Sequence, residues 1–143
     1  MARELLLIGL VVACGRDRPA EPRTAVPSPP LASKPFFRVD AGPATPCARG
    51  ATCEARFALT ALGDYHVNKD YPFKFVGDPA PAIPLDGTGT FTLDDATHGT
   101  LTIKFRPNAP GTARLAGTFK LSVCSDKTCE IETPKLELAV PVS

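Results

Sequence analysis

Between Glu54 and Val142, run after run places apolar side chains at every second position, a period that suits β-strands with one buried face. Phe57, Leu59 and Ala61 share one face of a first strand, with Ala58 and Thr60 on the other. Tyr71, Phe73 and Phe75 repeat the pattern around Lys74, and Phe91 and Leu93 alternate with Thr90 and Thr92. Leu101, Ile103 and Phe105 follow, then Leu115, Gly117, Phe119, Leu121 and Val123, and Leu136, Leu138 and Val140 close the set. Gly63-Asp64, Gly77-Asp78-Pro79, Asp86-Gly87, His98-Gly99 and Asn108-Ala109-Pro110-Gly111 suit the intervening reversals. The spacing predicts roughly six or seven short antiparallel strands and no helix, an all-β chain folded as an immunoglobulin-like β-sandwich.

Ahead of these runs the chain changes character. Of its 16 prolines, Pro19, Pro22, Pro27, Pro29, Pro30, Pro35, Pro43 and Pro46 fall in one stretch with little apolar periodicity. Proline removes a backbone donor and fixes φ, so residues 14–46 read as a disordered, extended tether, with the sandwich over 47–143. Phe36 and Phe37 interrupt it, and either dock on the domain or open its first edge strand through Arg38-Val39.

Residues 1–13 read as a signal peptide. The run Leu5-Leu6-Leu7-Ile8-Gly9-Leu10-Val11-Val12 behind Arg3 is too short to span a bilayer, which takes about 20 apolar residues. It fits a secretory h-region of about 7–15 residues. Ala13-Cys14-Gly15 closes it in a way that resembles the lipobox of bacterial lipoproteins, which implies cleavage before Cys14 and lipidation of its thiol. An ordinary secretory signal cleaved nearby is the other reading. The lipoprotein resemblance puts the domain on the bacterial cell envelope, anchored in the membrane through Cys14, with Gly15 favouring the periplasmic face of the outer membrane.

Cys47, Cys53, Cys124 and Cys129 remain, an even number that in an exported chain implies disulfides. Three connectivities are open, and proximity favours Cys47–Cys53 and Cys124–Cys129. A four-residue loop, Ser125 to Thr128, would set Cys124 opposite Cys129 in a hairpin, within disulfide reach. Parity puts Cys124 on the outer face, next to inward Val123.

Gly117-Thr118-Phe119-Lys120-Leu121-Ser122-Val123-Cys124 through Cys129 resembles the cysteine hairpin of the periplasmic N-terminal domain of the thiol:disulfide interchange protein DsbD. Gly63-Asp64-Tyr65-His66-Val67-Asn68 with Tyr71-Pro72 is similar to an early stretch of the same family. The resemblance implies an immunoglobulin-like fold over roughly residues 54–142 and thiol–disulfide exchange through Cys124 and Cys129. Here the spacing is C-x4-C, one residue shorter than is typical of the family, and Glu130-Ile131-Glu132 replaces the aromatic-Pro-Pro that usually follows the second cysteine. With no thioredoxin-type C-x-x-C in this chain, reductant would come from a thioredoxin-like partner. Lys120 and Lys127 are the nearby cations for a thiolate.

Other chemistries find little purchase. A net charge of +1 supplies no field for nucleic acid. No zinc knuckle in a reducing setting, calcium loop, serine-hydrolase elbow or phosphate loop occurs, so neither metal nor cofactor is expected. Asp94-Asp95 and Asp86 read as turn residues, His98 as a solvated turn histidine, and His66 as shaping its loop. Small exported domains use disulfides mainly as staples. The residues alone therefore give a lipid-anchored envelope module with a binding or structural role, and thiol–disulfide exchange as the alternative. Cys14→Ser should abolish incorporation of labelled palmitate and move the protein from the membrane pellet to the soluble envelope fraction.

Overall fold

The computed structural model describes residues 28–143 apart from Pro81, together with Gly15. The signal segment, Cys14 and the tether up to residue 27, Gly15 excepted, lie outside the described residues. Ten strands follow: β1 (Ala32–Lys34), β2 (Phe37–Ala41), β3 (Cys53–Ala61), β4 (His66–Val67), β5 (Lys74–Gly77), β6 (Leu85–Leu93), β7 (His98–Phe105), β8 (Gly111–Cys124), β9 (Cys129–Glu132) and β10 (Lys135–Val142). No helix occurs among the described residues. Pairing is antiparallel throughout, in two sheets.

The first sheet runs β1-β2-β3-β7-β6. Cys53, Ala55, Phe57, Leu59 and Ala61 are buried on β3 while the residues between them are half-exposed, as a pleated strand with one wet face requires. Leu101, Ile103 and Phe105 of β7 do the same. The second sheet is organised on β8, whose Phe119, Leu121 and Val123 are fully buried. Phe57 and Phe75 stack with ring centroids 5.2 Å apart, joining the first sheet to β5 of the second. The result is an immunoglobulin-like β-sandwich with its core between the inner faces.

Strand β8 is bonded on both edges. β10 takes one edge over Gly111–Thr118 and β9 continues it over Leu121–Cys124. β5 takes the other edge over Gly117–Lys120, and β4 follows at Val123–Cys124.

Several elements differ from the sequence expectation. β1 and β2 lie inside the stretch assigned to the tether, so the sandwich begins well before residue 47. Phe37 and Val39 alternate with Arg38 and Asp40, are almost completely buried, and pair with β3. Pro35 falls in the turn before this strand and Pro43 just beyond it, so neither costs a ladder bond. Tyr71 and Phe73 precede β5 rather than extending it, since Pro72 between them cannot donate to a ladder. Phe73 is half-buried all the same, stacked on Phe91 at 3.8 Å.

Asp86-Gly87 is not a chain reversal but the start of a bulge in edge strand β6, whose register shifts between Asp86 and Thr90. Gly87 and Gly89 take positive φ there, 79° and 84°, which other residues adopt at a cost. His98-Gly99 opens β7, and the reversal falls on Asp94–Thr97 instead.

Gly117 pairs with Gly77 where β5 lies along β8. An added Cβ would collide with the Val76 carbonyl oxygen and lie 2.6 Å from the Phe75 ring. Gly117→Ala should destabilise the domain by about 1–3 kcal/mol, read as a lower urea midpoint with unchanged m-value.

Candidate functional site

Both proximal disulfides form, Cys47–Cys53 and Cys124–Cys129, with Cα separations of 5.4 and 4.0 Å. The sequence separations are 6 and 5, so loop-closure entropy gives each roughly 2 kcal/mol and does not set them apart. Their surroundings do.

Cys47 and Cys53 are both buried, at 6% and 3% exposure. The Cys47 carbonyl accepts the Ser143 backbone N–H at 2.9 Å and the Ser143 hydroxyl at 3.2 Å, while Arg49 N–H donates back to the Ser143 carbonyl. Gly50 N–H donates to the Pro107 carbonyl at 2.7 Å. This bridge ties its loop to the end of β10 and to the β7–β8 connection, with neither sulfur presented to solvent.

Cys124–Cys129 closes the β8–β9 hairpin. Ser125 N–H donates to the Thr128 carbonyl at 2.8 Å, and the Ser125 hydroxyl oxygen accepts Lys127 and Thr128 N–H. Ser125 and Thr128 are thus a hydrogen-bonded pair, which makes Cys124 and Cys129, one step along, a closely spaced non-hydrogen-bonded pair. Parity places Cys124 on the outer face, but it is only 6% exposed, whereas Cys129 is exposed. The outer face is not open at this point, because Cys124 is flanked on both edges, by His66 of β4 and by Cys129 of β9. Asn68 N–H donates to the Ser122 carbonyl at 3.1 Å, its side-chain amide reaches the Ser122 hydroxyl at 3.3 Å, and Ser122 is fully buried.

The register lines up a row of side chains across this outer face. His66 of β4 opposes Cys124, and Cys124 opposes Cys129. The next row is Asn68, Ser122 and Ile131, the last 65% exposed. His66 also lines an open groove of about 460 Å³, with His66–Asp70 on one wall and Leu93–Ala96 on the other. Val67 N–H donates to the Ala96 carbonyl at 2.8 Å and fixes the two walls together.

Sequence reasoning named the cysteines but gave His66 a loop-shaping role and passed over Ile131 as a surface contact. The signal for His66 was the alternation in Tyr65-His66-Val67-Asn68, where inward Val67 puts His66 and Asn68 outward together. Lys120 lies further along β8 and Lys127 in the hairpin loop. Among the described residues no group of three or more His, Cys, Asp or Glu side chains converges to hold a metal ion.

The groove wall at Leu93–Ala96 is held by Asp95, whose carboxylate accepts the backbone N–H groups of Thr97 and His98 at 2.8 and 2.9 Å and contacts His98 Nδ1 at 2.9 Å. His98 first, and then Thr97, holds the Asp95 carboxyl down to about 2.

No family model matches the chain, and no curated protein does. Among solved structures it is similar to PapD-like domain 7, an ASH domain, of human CEP192. That match has 16% identity and a TM-score of 0.35, covering 84% of this chain and 95% of that one. The assignment to an immunoglobulin-like sandwich rests on the strand order and register.

Because the Asp95 pKa is lower in the folded state, the stabilisation is complete above the unfolded value near 3.8 and is lost as pH falls through about 2. Carboxyl resonances followed against pH should place Asp95 at about 2, and His98→Ala should raise it towards ordinary aspartate.

Proposed function

We propose that this chain is an envelope-anchored β-sandwich that exchanges its Cys124–Cys129 disulfide with a thioredoxin-like dithiol partner. The observation that carries the reading is the contrast between the two bridges. Cys47–Cys53 is buried at both ends and bonded into the fold, while Cys129 stands exposed on a hairpin beside exposed Ile131. Access to a sulfur is the first requirement for exchange, and an apolar side chain next to it gives a partner something to dock on.

A partner thiolate attacks Cys129 Sγ, the accessible sulfur, forming a mixed disulfide. The Cys124–Cys129 bond breaks and its electron pair leaves on Cys124 Sγ. The partner's second thiol, deprotonated, attacks its own sulfur in the mixed disulfide and expels the Cys129 thiolate. The partner dithiol is oxidised to a disulfide, this pair is reduced, and two protons end on Cys124 and Cys129. The reduced hairpin can then pass the electrons to another disulfide by the reverse sequence. Lipidation at Cys14 would hold the module in the envelope where such partners work.

A non-catalytic binding role, with both bridges as staples, is the reading this displaces, and one measurement separates the two. In a redox titration of residues 28–143 with thiol trapping and mass mapping, Cys124–Cys129 should open reversibly above about −300 mV while Cys47–Cys53 stays closed. Opening only below that potential, or only on unfolding, would return the module to binding alone.

A further inference from the structure

We infer that His66 is the charge-stabilising residue beside the leaving sulfur, a role that rests on the exchange reading above. β4 is only two residues long, yet its position is fixed from both sides, by pairing with β8 and by the Val67 N–H bond to the Ala96 carbonyl. The Asn68–Ser122 bond sets the hydrogen-bonding phase of the β4–β8 ladder, so His66 and Cys124, two residues away, form another hydrogen-bonded pair. Directly opposed residues have Cβ atoms about 4.5–5.5 Å apart and point to the same face. An imidazole side chain is long enough to bridge that spacing toward the neighbouring sulfur. On its other edge Cys124 is paired to Cys129. The bridge therefore has a solvent-facing sulfur that an incoming thiolate can reach, and an inner sulfur flanked by a histidine.

That asymmetry matters for the chemistry. As the S–S bond breaks, negative charge grows on Cys124 Sγ, which is largely withdrawn from water. A poorly hydrated thiolate leaves slowly unless a cation or donor meets it. His66 in its protonated form supplies both and can pass its proton to Cys124 once the bond has opened. The other charged groups around this face stand differently. Lys69, Asp70, Asp94 and Asp95 line the groove with His66, Asp95 being engaged by His98. Lys120 lies along β8 without a register place in this row, and Asp126, Lys127 and Glu130 sit on the hairpin side with Cys129. His66 is the titratable residue that the ladder sets opposite Cys124.

The test measures reduction of Cys124–Cys129 by dithiothreitol in residues 28–143, with rates expressed per attacking thiolate at pH 6 and pH 8. Imidazoles lose their charge across that interval. His66→Gln should slow reduction by roughly threefold to tenfold at pH 6 and by much less at pH 8. His66→Lys should restore the rate and flatten the pH dependence. His98→Gln, which removes the other histidine, should leave both rates unchanged. Equal rates for His66→Gln and the parent at both pH values would overturn the role of His66 while leaving exchange standing. A parent bridge that stays closed until the domain unfolds would overturn both.

Discussion

The structure depends on β8 having a partner along both edges. A strand of 14 residues with exposed edges would be an aggregation template, and its inward Phe119, Leu121 and Val123 would have no fixed register. Here no partner covers the whole strand. β10 and β9 divide one edge between them and β5 and β4 divide the other. The strand's C-terminal end is consequently met by two short partners, β4 with two residues and β9 with four. Both the hairpin cysteines and His66 sit at this junction. A site built where short strands meet a long buried one gains rigid positions from the long strand and open access from the short ones.

The difference in surroundings between the two disulfides follows from the same geometry. Their loops are nearly equal in length, so the chain-entropy contribution is nearly equal too. Cys47–Cys53 lies where the last residue of the chain returns to bond with its loop, and the core closes over it. Cys124–Cys129 lies where a hairpin leaves the sandwich. β9 adds a clasp to the first sheet, because Lys34 Nζ of β1 bonds the Glu132 carboxylate at 2.6 Å. That ion pair is partly exposed and is worth little as stabilisation, but it links the first described strand to the end of the cysteine hairpin.

Much of the fold was legible because period two needs nothing but the sequence. β3, β7 and β8 bury the residues that the alternation selected. Composition misled where it was averaged over a stretch. Eight prolines between residues 19 and 46 outweighed the short Phe37-Arg38-Val39-Asp40 alternation, although Pro35 and Pro43 flank that strand rather than interrupt it. Turn signals misled in another way. Asp86-Gly87 does need positive φ, and a bulge satisfies that need as well as a reversal does. The burial of Cys124 was illegible for a tertiary reason. Face parity says which way a side chain points, but not that β4 will pair alongside and set His66 next to Cys124 on that face.

The candidate site shows the same limit from the other side. The cysteine pair could be read directly, since four intervening residues fix a hairpin and the hairpin fixes the opposition. The residue across the opposite edge of Cys124 could not, because it depends on which segment β8 accepts as a neighbour. That choice is made by Val67, whose side chain is buried with the core and whose N–H is taken by Ala96. Once Val67 points inward, the strand period forces His66 and Asn68 outward, one beside Cys124 and the other onto Ser122. The residue opposite Cys124 is thus set by a packing decision on the far side of the strand. A substitution that loosened Val67 would shift His66 without touching either cysteine, so the surroundings of the hairpin disulfide are coupled to the core through one short strand.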